Sequence, residues 1–161
     1  MNNRAEAFWM KKGILGDTVP LELNAKELLH RNNKNSELTV YGYTPMMVSV
    51  QCVQKTMDHC NHACVQYVLK DRYQKEFRGV CSCEFCYNTI YNALPTSLLK
   101  EKEKAEKLGV KAYRLSFTTE TQQETEKIVR AFVDVYLRGQ KPDGQMQTEE
   151  TTKGHFQRGV E

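Results

Sequence analysis

Six cysteines in a chain of 161 residues are the side chains whose type and spacing point to chemistry. Four of them form a pattern, because Cys52 and Cys60 lie on one segment and Cys83 and Cys86 form a Cys-x-x-Cys pair on another. A Cys-x-x-Cys pair brings two sulfurs within reach of one metal, and a second pair completes a four-thiolate site. The sequence therefore predicts a metal centre ligated by these four cysteines.

The pattern alone leaves the metal and the exact ligands open. A structural zinc ion accepts the same thiolates, and spacing by itself favours zinc slightly. We expect Cys64 and Cys81 to be small buried hydrophobic residues, although Cys81 is close enough in sequence to replace a neighbouring ligand. His59 and His62 flank Cys60, but in a polar loop a histidine is more often solvated than metal-bound.

A disulfide framework would need an oxidising compartment and an export signal. The N-terminal segment has no apolar run of signal-peptide length, and no later stretch approaches the ~20 apolar residues of a membrane span. We therefore expect a cytoplasmic protein without a membrane partner, whose cysteines are reduced or metal-bound. The net charge of +3 permits an RNA partner without arguing for one.

The order of predicted elements favours an α/β fold. A strand over 19–23, a helix over 25–31 and a strand over 38–41 make a β-α-β unit, and Asn24 with Glu27 gives the helix a capping box. Further along, a helix ending at Gly109, a strand over 113–117 and a long helix ending at Gly139 repeat this order. Strands that alternate with helices indicate a parallel sheet.

The segment that carries the cysteines follows a different pattern. An extended apolar run over 46–50 leads directly to Cys52. Apolar and polar side chains then alternate over 65–70, and the polar residues that follow return the chain toward Phe77. This pattern predicts a small hairpin between the two cysteine pairs.

Several separated motifs resemble, in order, those of peptidase family U32, the collagenase-like proteins. They are V-Y-G-Y-T-P-M-M-V-S over 40–49, Q-C-V over 51–53, L-K-D-R over 69–72, C-E-F-C-Y-N-T-I-Y-N over 83–92 and G-H-F over 154–156. The match spans most of residues 19–161. It resembles the C-terminal part of the catalytic region, in the branch that includes ribosomal-RNA hydroxylation proteins.

The resemblance implies a partial TIM-like (β/α) barrel that has the last strands and helices only. Its expected parts are an N-terminal extension over 1–18, the partial barrel over 19–140 with a small cysteine-rich metal-binding hairpin inserted over 52–86, and a connector and C-terminal tail over 141–161. The earlier barrel strands would come from upstream sequence or from a partner chain. An isolated piece of barrel exposes strand edges, so we expect it to form oligomers.

The resemblance also implies a cofactor and a function. Well-studied relatives look like iron–sulfur proteins that support oxygen-independent hydroxylation of RNA bases, in some cases with prephenate. Carried over to this chain, a 4Fe–4S cluster would be held by Cys52, Cys60, Cys83 and Cys86, with zinc as the alternative. The RNA substrate, ribosomal or transfer RNA, would bind through the full-length protein, so the activity is expected of that protein rather than of this chain alone.

Two alternative functions remain at this stage. One is a collagenase-like peptidase acting on a peptide, but the sequence contains no Ser-His-Asp, Cys-His or His-Glu-x-x-His arrangement to support it. The other is a non-catalytic structural fragment stabilised by zinc or by a cluster. The sequence assigns no catalytic residue.

Four residues are candidates for substrate binding. Arg114 lies in a strand expected to be half-buried, so it needs a partner such as Glu22 or an anionic ligand. His155 and Arg158 lie in a motif that resembles the family's ending. The alternative for this ending is a tail that only packs against the barrel.

Overall fold

The structure is a computed structural model that describes residues 2–58, 60–142 and 150–158. Its helices and strands follow the chain in this order: α1 (Asn3–Lys11), β1 (Asp17–Thr18), α2 (Ala25–Leu29), β2 (Ser36–Gly42), β3 (Pro45–Ser49), α3 (Val53–Thr56), β4 (Val65–Lys70), β5 (Glu76–Ser82), β6 (Tyr87–Tyr91), β7 (Thr96–Ser97), α4 (Lys102–Lys107), β8 (Ala112–Ser116) and α5 (Gln122–Phe132).

Helices begin where local side chains satisfy the first backbone N–H groups. Asn24 accepts hydrogen bonds from the backbone of Lys26 and Glu27, and the Glu27 carboxylate accepts one from the Asn24 N–H. Thr121 and Glu124 form the same reciprocal cap at the start of α5. Such caps satisfy donors that no helical turn can reach, so both helices start where the sequence predicts.

The chain divides into two units. Unit 1 comprises Met1–Gly42 and Thr96–Glu161, and unit 2 comprises Tyr43–Pro95. Unit 2 is therefore broader than the hairpin insertion predicted over 52–86.

Unit 1 contains a sheet built around β2. Strand β8 lies parallel to β2, with Leu38 opposite Tyr113, and β1 lies parallel to the first residues of β2. The predicted parallel pairing is therefore confirmed for β1, β2 and β8. The sheet as a whole is mixed, because β7, which was not predicted, runs antiparallel to the end of β2 and places Thr96 opposite Gly42.

The strand predicted over 19–23 is wrong. The strand is Asp17–Thr18, and only the Val19 N–H continues the ladder, through a 2.8 Å hydrogen bond to the Glu37 carbonyl. Pro20 has no N–H to donate, and residues 21–23 turn away toward α2.

The core of unit 1 is apolar. Its helices and strands bury Val19, Leu28, Leu38, Val40, Tyr41, Leu98, Leu99, Ala105, Leu108, Ala131, Phe132, Val135 and Phe156. Phe156 belongs to a 3-10 turn over Gly154–Phe156, so the C-terminal tail packs into this core. Most of the predicted connector, 143–149, lies outside the described residues.

Unit 2 is an antiparallel sheet in the order β3-β6-β5-β4. The predicted hairpin is confirmed as β4 and β5, which pair from Val65 opposite Cys81 to Lys70 opposite Glu76. Strand β6 continues the sheet and places Asn88 opposite Cys81. The hairpin is thus two strands of a four-stranded sheet.

The chain has a mixed α/β fold, as predicted. The described strands form two four-stranded sheets, neither of which closes into a barrel. Within the same residues, every helix is too short or too polar to cross a lipid bilayer.

Candidate metal centre

Two cysteines meet inside unit 2. Cys52 follows β3 and occupies the N-cap position of α3, while Cys81 lies on β5 with its side chain fully buried. Their Sγ atoms are 3.7 Å apart. With Cys83 they form the buried cluster of this unit, against which Val65 and Tyr67 pack.

Three further ligand atoms converge beside this pair. The Sγ atoms of Cys60 and Cys83 and one ring nitrogen of His62 all lie within 4.8 Å of one another. Cys83 is buried, Cys60 is half-buried and His62 is exposed. These three side chains can hold a metal ion, because thiolate and imidazole are the ligands that zinc and other soft metals accept.

The remaining two cysteines border the same region. Cys86 ends the 3-10 turn that Cys83 begins, has a left-handed backbone (φ 52°) and directs its thiol to the Cys83 carbonyl at 3.6 Å. Cys64 is exposed, directly before β4.

The thiols differ in how readily they lose a proton. The backbone amide of Lys55 lowers the pKa of the Cys52 thiol, and burial opposes this shift. Burial raises the pKa of Cys81 to about 11, with a further contribution from Cys52. Burial also raises the pKa of Cys83, followed by the negative charge of Cys60. Cys81 and Cys83, whose pKa values are raised, therefore keep their protons at neutral pH, and a metal must displace those protons.

The donor set suits a thiolate-bound metal group. All six thiols belong to one unit, three of them form its buried cluster, and four thiolates are what a zinc ion or an iron–sulfur cluster requires. The hydroxyl of Tyr67, beside this cluster, is buried without a hydrogen-bond partner among the described residues. Such an orphaned polar atom in a native fold indicates a group that the protein chain does not itself provide.

The four predicted ligands occupy different surroundings. Cys60 and Cys83 belong to the three-residue group with His62, and Cys52 lies against Cys81. Cys86 is the most exposed of the four. His59 lies outside the described residues.

The sequence analysis weighed two further potential ligands, His62 and Cys81, and favoured a non-ligand role for each. His62 reads as an ordinary loop histidine, although its position two residues after Cys60 is a Cys-x-His spacing that could have marked it. Cys81 was expected to be a buried hydrophobic residue and is fully buried, but its sulfur faces Cys52. Only the packing of the loop around Cys52 against β5 reveals that proximity.

The expected pairing of Arg114 with Glu22 is wrong. Arg114 forms an ion pair with Glu37, at 2.5 Å, and its side chain is 52% exposed. The reason is topological, because Glu37 lies on β2, directly beside β8, whereas Glu22 lies in the turn after β1. The Glu37 carboxylate also accepts a hydrogen bond from Thr18, which together with Arg114 lowers its pKa.

The other candidate substrate residues are exposed on unit 1. Glu22 lines a surface cavity with Asn3 and His30. His155 and Arg158 lie in or after the C-terminal 3-10 turn, which is anchored by buried Phe156. Lys153 pairs with the buried Glu101, which fixes this tail to unit 1. The tail therefore packs against unit 1 through the side chains of Phe156 and Lys153, whereas His155 and Arg158 are exposed.

Comparisons with protein-family models, with curated proteins and with solved structures found no match to this chain. The fold and the site together define a mixed α/β protein with a cysteine-rich candidate metal centre in its antiparallel unit.

Proposed function

We propose that this chain carries the thiolate metal centre of an iron–sulfur enzyme that hydroxylates an RNA base, of the kind that peptidase family U32 includes. The observation that supports it is the convergence of thiols from separate segments of unit 2 on buried Cys83. Cys60 approaches Cys83 from the loop after α3, and Cys52 and Cys81 belong with Cys83 to one buried cluster. Iron–sulfur clusters are held by four cysteine thiolates.

The proposed ligands of the 4Fe–4S cluster are Cys52, Cys60, Cys83 and Cys86. Cys81 is the neighbour best placed to exchange with one of them, since its sulfur lies 3.7 Å from that of Cys52. A bound cluster would supply one-electron transfer. The protein's own contribution is a set of thiols of which Cys52 and Cys83 are buried, so that the metal is shielded from water on their side.

The remainder of the proposal rests on the resemblance. Unit 1 would be the last part of a TIM-like barrel, with β1, β2 and β8 as its parallel strands, and the earlier strands would lie upstream or on a partner chain. RNA would bind through that full-length protein. Arg114 is already neutralised by Glu37, so its part in RNA binding requires that this ion pair opens.

A second candidate function is favoured by one observation, the nitrogen ligand. His62 joins Cys60 and Cys83 within 4.8 Å, and a mixed set of sulfur and imidazole ligands is typical of structural zinc sites. In that case the metal would stabilise unit 2 and take no part in catalysis.

One pair of variants separates the two candidates. The protein is purified anaerobically from cells supplied with iron, and iron, acid-labile sulfide and zinc are quantified per chain. An iron–sulfur centre predicts a coloured protein in which Cys86→Ser lowers the iron and sulfide content and His62→Ala preserves it. A zinc site predicts instead a colourless protein that contains one zinc ion per chain. The Cys86→Ser variant should keep this zinc, and the His62→Ala variant should lose it.

The RNA step needs a separate experiment on the full-length gene. Deletion of the gene should remove one hydroxylated nucleoside from ribosomal or transfer RNA and replace it with the nucleoside lacking that oxygen, as read by mass spectrometry. Complementation with the wild-type gene should restore the modification, and complementation with Cys83→Ser should not. Unchanged RNA nucleosides after deletion would refute the substrate.

A further inference from the structure

Tyr67 reaches from β4 across the neighbouring strand toward the thiols. Its Cα lies opposite Gly79 in the β4–β5 register. A Cβ on Gly79 would overlap the ring atoms Cε2 and Cζ of Tyr67 and would lie 2.8 Å from the hydroxyl oxygen. The ring therefore lies flat over Gly79, in space that only a glycine leaves open, with its hydroxyl above β5.

The position of the hydroxyl brings it to the side of β5 that carries Cys81. Residues two apart on a strand face the same side, so Gly79 and Cys81 share one face of β5. Tyr67 packs against the cluster of Cys52, Cys81 and Cys83. The aromatic ring thus carries a polar group to the edge of the thiol cluster.

This hydroxyl is a buried group beside the cluster that can donate a hydrogen bond but has no acceptor among the described residues. Three buried side-chain atoms of unit 2 have no partner among the described residues: Gln54 Oε1, Tyr67 Oη and Asn88 Oδ1. The two amide oxygens accept hydrogen bonds and would repel a thiolate, whereas the tyrosine hydroxyl can donate to one. An unused buried donor is unfavourable unless an acceptor forms beside it.

Thiolates are such acceptors, and they form when a metal displaces the thiol protons. A tyrosine hydroxyl ordinarily has a pKa of about 10, so it keeps its proton at neutral pH while the ligating sulfurs become negative. It is therefore a donor in the metal-bound protein as well.

We propose that Tyr67 is a positioning residue of the metal centre, whose hydroxyl donates a hydrogen bond to a thiolate of the Cys52–Cys81 pair when the centre is loaded. The inference rests on the proposed thiolate centre, but it holds for zinc or iron alike. Hydrogen bonds to ligating sulfurs orient the ligands and adjust the electron density that they donate to the metal. Tyr67 would thereby set both the affinity of the centre and its electronic properties.

The test uses Co²⁺ as the probe, since a thiolate–cobalt centre absorbs light by charge transfer from sulfur to metal. Co²⁺ is titrated anaerobically into the wild-type chain and into Tyr67→Phe, which keeps the ring over Gly79 and removes only the hydroxyl. Loss of the hydrogen bond should weaken Co²⁺ binding about tenfold. It should also shift the charge-transfer band to lower energy, because the sulfur electrons are then less stabilised.

Tyr73→Phe is the matched control. Tyr73 lies in the turn of the same hairpin, is 68% exposed and stacks with Arg72, so loss of its hydroxyl should change neither affinity nor spectrum. A Tyr67→Phe protein with the Co²⁺ affinity and charge-transfer band of the wild-type chain would overturn the inference, but it would not contradict the proposed metal centre. Weaker binding with an unshifted band would assign Tyr67 a structural role and also overturn it. A wild-type chain that gives no charge-transfer band would overturn the inference together with the proposed centre.

Discussion

The buried clusters of the two units are made of different types of side chain. The interior of unit 1 is formed by aliphatic and aromatic side chains from helices and strands. The buried cluster of unit 2 consists of Cys52, Cys81 and Cys83, with only Val65 and Tyr67 packed against it. Unit 1 can be stabilised by burial of apolar surface, whereas a unit as small as unit 2 ordinarily needs a metal or a similar cross-link.

Unit 2 also leaves several large apolar side chains exposed. Met46, Met47 and Val48 on the edge strand β3 are all more than half exposed. Thiols are thus buried inside unit 2, while some apolar side chains that could have formed a hydrophobic core are exposed on its surface. The comparison teaches that hydrophobic packing accounts for the core of unit 1, whereas unit 2 buries side chains that could hold a metal ion.

The largest expected effect is that of metal removal. Binding of a structural metal can contribute on the order of 10 kcal/mol to folding, as much as the total stability of many domains. Chelation of the metal from the loaded protein should therefore abolish the protection of backbone amides in β4, β5 and β6. The amides of β2 and α5 should remain protected, as measured by hydrogen exchange with mass spectrometry. Equal loss of protection in both units, or none in unit 2, would break the comparison.

The converse change weakens unit 1 without altering the thiols. Leu98 is 1% exposed in the apolar core, so Leu98→Ala should cost about 2–5 kcal/mol in the free energy of unfolding of unit 1. Leu137→Ala removes the same atoms at a site that is 78% exposed and should change stability by no more than about 0.5 kcal/mol. Urea denaturation measures both.

Metal affinity provides the control for these substitutions. Both leucine variants should bind Co²⁺ as tightly as the wild-type chain, because neither residue belongs to unit 2. If Leu98→Ala abolished metal binding at a urea concentration where the wild-type chain binds normally, the units would not be independent.

The smallest expected effect is a dependence of metal affinity on pH. Burial raises the pKa of Cys81 to about 11 from 9.0, so this thiol holds its proton below that pH and a metal must displace it. Affinity should therefore rise with pH, by about tenfold per pH unit for each displaced proton.

Two alanine variants show which thiols lose their protons. If Cys81 becomes a thiolate on loading, Cys81→Ala should reduce the slope of log affinity against pH, measured by Co²⁺ titration between pH 6 and 8. Cys64→Ala removes an exposed thiol and should leave the slope unchanged. An identical slope in the Cys81 variant would show that Cys81 stays protonated.

Local signals made much of the fold predictable. The capping boxes at Asn24 and Thr121 and the left-handed glycines Gly109 and Gly139 mark helix ends by interactions within a few residues. Apolar alternation likewise predicted the hairpin of unit 2. Each of these features depends on short-range geometry that the sequence specifies directly.

Long-range packing accounts for what the sequence did not predict. Helix α1 has no strong apolar face and is held by Asn32, whose backbone N–H donates a hydrogen bond to Asn3 Oδ1 and whose side-chain amide donates one to Glu6 Oε1. Strand β7 exists because the chain returns to pair with the end of β2. At the candidate site, the Cys-x-x-Cys spacing singled out Cys83 and Cys86, but the approach of Cys81 to Cys52 depends on how a loop packs against a strand.

The pairing of Gly42 with Thr96 has a consequence for how such a protein can change over generations. The chain leaves unit 1 at one of these residues and re-enters at the other, and paired strands are only ~5 Å apart. The entropy of closing a loop grows slowly with its length, so a tight turn or a whole cysteine-rich unit can span this gap at similar cost. Insertions, deletions and exchanges between these two residues can therefore alter the candidate metal centre while the apolar unit keeps its fold.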